Sequence, residues 1–122
     1  MKRALLIATI GLLALPLSAH HSTAMFDTGK ELVLDAVIKE MQWTNPHGWL
    51  IVMATGADGA TTQWSIETAP PSMLERFGIK KSDFKAGEKV SVHTHPIRDG
   101  QPIGLFMSLV RADGTVVSPK AN

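Results

Sequence analysis

Five stretches rich in apolar and β-branched residues, separated by turn signals or by one short helix, constrain the fold of this chain. Turn signals occur at Asn45-Pro46, at Ala57-Asp58-Gly59 and at Arg98-Asp99-Gly100. Short stretches of this kind are typical of a small antiparallel barrel or sandwich. They predict five strands, over residues 32–43, 49–54, 61–67, 89–95 and 103–111.

The first predicted strand changes the face on which its apolar side chains lie. Its apolar residues fall into two sets of opposite parity: Leu32, Leu34, Ala36 and Ile38 in the first, and Met41 and Trp43 in the second. A β-bulge inserts one extra residue and so reverses the alternation. We therefore predict a bulge within this strand.

A short helix is predicted between the third and fourth strands. It begins at Pro70-Pro71-Ser72, because proline suits the first helical turn, and it ends at Gly78. Its apolar stripe consists of Met73, Leu74 and Phe77. The order β-β-β-α-β-β matches the OB-fold, a partly open five-stranded barrel. We therefore predict an all-β chain with one short helix, a small OB-like antiparallel barrel, although another small barrel or sandwich fits the same turns.

The amino-terminal segment predicts export. Lys2 and Arg3 precede an apolar run over residues 4–15, and Pro16-Leu17-Ser18-Ala19 follows, which together resemble a secretory signal peptide. The run is shorter than the ~20 residues that cross a bilayer as a helix. We expect cleavage after Ala19 or one residue earlier, and a periplasmic protein with no membrane span after cleavage. An uncleaved anchor is the alternative.

The composition limits the domain count and the partners. Cleavage leaves roughly 100 residues, enough for one domain. Without Lys2 and Arg3, ten basic residues face 11 acidic ones, so no positive field attracts nucleic acid. The absence of cysteine excludes disulfides and thiolate chemistry. We divide the chain into a signal peptide (1–19), an amino-terminal arm (20–31), a barrel domain (32–117) and a tail (118–122).

Two histidines at the new amino terminus suggest a metal ligand. If His20 is the first residue, its amine and imidazole, joined by a second histidine, provide the tetragonal nitrogen geometry that Cu(II) prefers. If Ala19 is the first residue, His21 stands third and can bind Cu(II) together with backbone amides. The pair could equally be a solvated tip of the chain.

Three further histidines complete the candidate metal set of His20, His21, His47, His93 and His95. His47 lies in the Asn-Pro turn between two tryptophans, where it is either a ligand or an ordinary surface residue. His93 and His95 are two residues apart on a predicted strand and so project to one face. There they could together bind one ion, or they could simply form a polar surface. An alternative site is aromatic: Trp43, Asn45, Trp49 and Met53 could bind a small ligand, although the tryptophans could instead form the interior and rim of the barrel.

Catalytic patterns are sparse. No nucleophile elbow and no glycine-rich phosphate loop occurs. Glu67 is expected to be a lone surface or structural carboxylate. We therefore assign no catalytic residue and expect a non-enzymatic protein.

The chain resembles a family of small exported bacterial proteins that is classified only as a domain of unknown function. The resemblance implies an exported single domain and no established activity. It covers nearly the whole mature chain, through His20-His21-Ser22, Phe26-Asp27, Trp43-Thr44-Asn45-Pro46-His47, Trp64-Ser65-Ile66-Glu67, the helix from Pro70-Pro71 to Gly78, Lys85-Ala86-Gly87-Glu88 and Pro96-Ile97-Arg98-Asp99-Gly100.

A second, weaker likeness is to the periplasmic OB-fold chaperones of copper and silver efflux, which bind Cu(I) through His, Met and Trp. Trp43, His47 and Met53 offer the same residue types without the family's spacing, so the analogy concerns fold and compartment. Our leading hypothesis is a periplasmic copper carrier or buffer. The alternative is an interaction module that takes a small ligand or a periplasmic protein partner at an aromatic-rimmed groove.

Overall fold

The computed structural model describes residues 23–119. All five predicted strands and the helix are present, with bounds that differ from the prediction by one or two residues at most. Two short 3₁₀ turns occur as well, one before the first strand at Thr23–Met25 and one after the helix at Lys81–Asp83. The regular elements are β1 (Leu32–Gln42), β2 (Trp49–Thr55), β3 (Thr61–Glu67), α1 (Pro71–Arg76), β4 (Lys89–Pro96), β5 (Ile103–Arg111) and the short β6 (Val116–Val117).

The strands close into a mixed barrel. β1 pairs antiparallel with both β2 and β4, and the β2–β3 and β4–β5 pairs are also antiparallel. The barrel closes through a parallel pairing of β3 with β5, from Ser65 opposite Ile103 to Glu67 opposite Leu105. The prediction of a wholly antiparallel barrel is therefore wrong at this seam. Parallel strands need a long connection, and here α1 and β4 lie between the two strands in the chain.

The predicted bulge in β1 is confirmed. Ile38 pairs with Val52, whereas the next pair joins Glu40 to Ile51, so Lys39 is the extra residue. The shift lets residues of opposite parity, Ile38 and Met41, both enter the core. After the bulge, Glu40 and Gln42 are exposed on the outer wall of the barrel.

The core fills the interior of the barrel and continues under α1. Fully buried side chains from four strands and the helix form its centre: Leu50, Val52, Ile66, Leu74, Val92 and Leu109. Trp43, Trp64 and Phe77 are partly buried and pack against this cluster. The predicted helix stripe is wrong at Met73, which is 45% exposed, because α1 turns only the Leu74 and Phe77 side toward the barrel.

The amino-terminal arm is fastened to the end of β4. Phe26 forms an isolated antiparallel bridge with Ile97 and is only 1% exposed. The Asp27 N–H donates to the Pro96 carbonyl at 2.8 Å, and the Arg98 N–H donates to the Met25 carbonyl at 2.9 Å. The arm is therefore part of the folded domain from Thr23 onward. The predicted signal peptide and the first arm residues, His20 and His21 included, lie outside the described residues.

Within residues 23–119, no helix has the length and apolar character needed to cross a membrane.

Candidate functional site

The register of the barrel aligns one row of side chains across its outer wall. Gln42 lies opposite Trp49, Trp49 opposite Glu67, Glu67 opposite Leu105, and Leu105 opposite His95. Paired residues on neighbouring strands project to the same face of a sheet. These five residues, which we call the outer row, therefore lie side by side on the wall, with the β1–β2 loop above them.

The β1–β2 loop is held against the end of β3. The Thr68 N–H donates to the Gly48 carbonyl at 2.9 Å, and the Gly48 N–H approaches the Ala69 carbonyl at 3.5 Å. Within the loop, the Thr44 hydroxyl donates to the His47 carbonyl at 2.9 Å. These bonds fix the backbone on both sides of His47 and bring its side chain to the chain segment that follows β3.

The imidazole of His47 contacts two oxygen acceptors through the same nitrogen. Its Nδ1 lies 3.2 Å from the Thr68 carbonyl oxygen and 3.5 Å from Glu67 Oε1. A carbonyl oxygen can only accept, so Nδ1 carries the proton of this hydrogen bond. In the neutral ring, Nε2 is then the nitrogen with the free lone pair. The side chain is 36% exposed, so solvent reaches the ring.

Of the two roles expected for Glu67, surface residue or structural partner, its burial excludes the first. Its side chain is only 4% exposed, and its Oε2 is buried without a hydrogen-bond partner among the described residues. The alternation of β3 places Glu67 on the outer face correctly. His47 from the β1–β2 loop lies beside it, with Nδ1 3.5 Å from Oε1, and Trp49 and Leu105 flank it on the neighbouring strands. No sequence pattern of β3 alone could have indicated these neighbours.

His93 and His95 project to the outer face, as predicted, and Val90 and Val92 are in the core. Both rings engage an oxygen through Nδ1. In His93, Nδ1 lies 2.5 Å from a carboxylate oxygen of Glu31. In His95, Nδ1 lies 2.8 Å from the Lys30 carbonyl. Each of these rings, like that of His47, turns Nδ1 toward the protein.

The described histidines do not form a metal cage by themselves. Within residues 23–119, no group of three or more histidine or carboxylate side chains is arranged to hold an ion. His47 lies at the β1–β2 loop, whereas His93 and His95 lie on β4. The remaining candidates, His20 and His21, are outside the described residues, so the complete predicted set is not tested by this geometry.

The aromatic candidates divide between the core and the wall. Trp49 lines a shallow groove of about 490 Å³ on the outer face of β1, β2 and β3, and Met53 lies further along the same face of β2. Trp43 packs against the core, and Asn45 is exposed in the loop. Sequence reasoning missed most of the groove, whose remaining lining residues are Lys39, Glu40, Gln42, Ile51, Gln63, Ser65 and Ile103.

The sequence could have indicated some of the residues that line this groove but not others. The alternation of β2 puts Ile51 on the face that bears Trp49, so Ile51 could have been found. Ile103 reaches the groove only through the parallel pairing of β5 with β3, which the sequence did not indicate.

Comparison with known proteins returned one family. A model described as a family of unknown function (DUF6152) matches residues 9–107. Neither the curated proteins nor the solved structures contain a match.

Proposed function

The chain belongs to this DUF6152 family of unknown function, and from its own residues we propose that it is an exported, non-enzymatic protein that binds copper through histidines. The central ligand is His47, joined by His20 and His21 from the amino terminus that export exposes. The protein would carry or buffer the ion in the periplasm.

The orientation of His47 is the observation that carries this proposal. Metal-binding histidines almost always donate their second ring N–H to a carboxylate or a backbone carbonyl. The Nδ1 of His47 has both kinds of acceptor nearby, Thr68 O at 3.2 Å and Glu67 Oε1 at 3.5 Å. Its Nε2 is therefore the atom available to a metal. Imidazole and amine nitrogens in a tetragonal arrangement suit Cu(II). The amino terminus of His20 would supply the amine nitrogen.

His93 and His95 form the second candidate cluster. Their Nδ1 atoms also face oxygen acceptors, on Glu31 and Lys30. Only Ser22 separates His21 from the turn Thr23–Met25, and that turn is bonded to Arg98, just beyond the end of β4. Because the arm is attached at this end of β4, we propose that His20 and His21 could also bind the metal together with His93 and His95.

Competition titration tests the proposal. The mature protein, purified after export, is titrated with Cu(II) and Cu(I) against a chelator of known affinity. We expect a dissociation constant below about 1 μM, which corresponds to about −8 kcal/mol. His47→Ala should weaken binding at least tenfold, and His93→Ala, measured separately, shows how much the second cluster contributes. Binding no tighter than micromolar by the unmutated protein would remove the proposal.

Export itself is tested by intact mass. Measured on the secreted protein, natively and after denaturation, the mass locates the amino terminus and weighs any bound ion. A mature chain beginning at His20 or Ala19 is expected. A chain that retains residues 1–19 would contradict the proposed amino-terminal ligands.

The groove on the outer wall favours a second candidate, an interaction module. The strand order, with a helix between β3 and β4, supports the description as an OB-like barrel, and OB-folds bind their ligands on the face of strands 2 and 3. Trp49 and Ile51 lie on that face here, and Ile103 adds to it from β5. Trp49→Ala should then abolish capture of a small ligand or periplasmic partner while His20→Ala leaves it intact. The reverse result favours metal binding.

A further inference from the structure

We infer that Glu67 is a positioning residue for His47, one that keeps the imidazole in its Nδ1–H form and strengthens Nε2 as a ligand atom. The effect on metal affinity rests on the function proposed above. The effect on the ring itself does not, because it concerns the protein without metal.

The first argument is geometric. The Thr68 carbonyl and the Glu67 carboxylate approach the same ring nitrogen, at 3.2 Å and 3.5 Å. Both are acceptors when the carboxylate is ionised, so both favour a proton on Nδ1. The tautomer of a histidine is set by the hydrogen bond that one of its nitrogens makes. Because both acceptors favour the proton on Nδ1, the second ring nitrogen, Nε2, keeps its lone pair.

The second argument is electrostatic. Glu67 is 4% exposed, and within residues 23–119 the one basic side chain beside its carboxylate is His47. A buried carboxylate interacts with a neighbouring charge more strongly than an exposed one, because water and salt screen it less. A cation bound at Nε2 makes the ring more positive, so the carboxylate stabilises the bound form more than the free form. Within the described part of the chain, its second oxygen, Oε2, makes no hydrogen bond that would weaken this effect.

The third argument is the rigidity of the support. Glu67 lies on a strand paired on both sides, with Trp49 on β2 and Leu105 on β5. The following residue, Thr68, is 1% exposed and bonded through its N–H to Gly48. The carboxylate and the carbonyl are thus held by the barrel, and they orient a ring that comes from a loop.

A second carboxylate–histidine contact in this chain can be compared with that of Glu67 and His47. Glu31 makes the same kind of contact with Nδ1 of His93, but Glu31 is 46% exposed. Solvent screens that carboxylate, so its removal should matter much less. Glu31→Gln is therefore the matched control for Glu67→Gln, since both exchanges remove one charge beside a histidine and keep the size of the side chain.

Nuclear magnetic resonance of the ¹⁵N-labelled mature protein without metal, at about pH 8, reads the tautomer directly. We expect Nδ1–H for His47 in the unmutated protein. In Glu67→Gln the Nε2–H form should become detectable, and in Glu31→Gln the His47 signals should not change. An Nε2–H form in the unmutated protein would overturn the inference even if Glu67→Gln fails to fold. An unchanged tautomer in folded Glu67→Gln would overturn it as well.

Copper titration of the same three proteins supplies the second measurement. Loss of such a supporting carboxylate typically weakens metal binding about 10–100-fold, so we expect at least a tenfold loss in Glu67→Gln. Glu31→Gln is titrated beside it, and a loss there as large as in Glu67→Gln would contradict the argument from burial. If none of the three proteins binds copper, the proposed function is overturned. The tautomer of His47 would still decide the role of Glu67.

Discussion

Gly48 lies so close to Thr68 that a Cβ atom at position 48 would stand 2.5 Å from the Thr68 hydroxyl oxygen. The same atom would meet Met41 Cε at 3.0 Å and the Gln42 carbonyl oxygen at 3.3 Å. Only glycine therefore lets the β1–β2 loop approach the end of β3 this closely. That approach brings the His47 ring to the Thr68 carbonyl and to the Glu67 carboxylate.

We expect Gly48→Ala to destabilise the protein and to displace the loop. Overpacking of this kind costs about 1–3 kcal/mol, which chemical denaturation measures as a lower unfolding free energy. Gly29→Ala is the matched control, because a Cβ there meets only Asp27 Oδ1 at an ordinary 3.5 Å. Equal stability of the two variants would contradict the close packing of the loop.

The two tryptophans that flank the loop should differ in their contribution to stability. Trp43 packs against the core, so Trp43→Ala should cost about 3 kcal/mol, at the lower end of the range for buried aromatic residues. Trp49 lies on the outer wall, so Trp49→Ala should cost less and should mainly change the groove. Urea denaturation of both variants measures the difference, and a larger loss for Trp49→Ala would contradict the placement.

The arm should stabilise the domain through Phe26. This side chain is 1% exposed beside Ile97, and removal of a buried phenylalanine costs about 3–5 kcal/mol. We therefore expect Phe26→Ala to lower the unfolding free energy strongly, whereas Met25→Ala, at a residue 38% exposed, should have a small effect. Similar values for the two variants would indicate that the arm is not docked.

Asp113 should titrate below its ordinary range. Hydrogen bonds from Thr115, its side chain first and its backbone N–H second, lower the pKa of Asp113 below 3.8. A depressed carboxyl pKa adds stability above the unfolded-state value, and this contribution disappears as the pH falls through the folded-state value. Thr115→Ala should move the titration midpoint of Asp113 upward, as carbon-detected NMR can measure. An unchanged midpoint would contradict the hydroxyl contribution.

The proposed copper binding through histidines predicts that affinity decreases in acid. Protons compete with the metal for imidazole nitrogen, so affinity should fall as the pH is lowered from about 7.5 to about 5.5. Competition titrations at several pH values measure the change. The His47→Ala variant should show a shallower dependence, because it has one ligand fewer to deprotonate. A pH-independent affinity would argue against histidine ligands.

The local features of this fold were predictable because they depend on short stretches of sequence. Alternation located the strands, and its reversal between Ile38 and Met41 located the bulge. The two prolines before Ser72 and the glycine at position 78, which has a φ of +76°, bounded the helix. The same alternation placed His93 and His95 on the outer face.

The candidate site was predictable only in part. The Asn-Pro turn singled out His47, but its acceptors lie some 20 residues further along the chain. Glu67 alternates outward as an ordinary surface residue would, yet it is only 4% exposed between strand neighbours and His47.

The sequence by itself therefore determined the strands, the bulge, the helix and the face on which His93 and His95 lie, because backbone preference and side-chain alternation act between near neighbours. The tertiary structure alone decided the parallel seam between β3 and β5, the burial of Glu67 and the oxygen atoms that meet His47. These features arise where distant segments close the barrel, and packing and hydrogen bonding between such segments follow no local pattern.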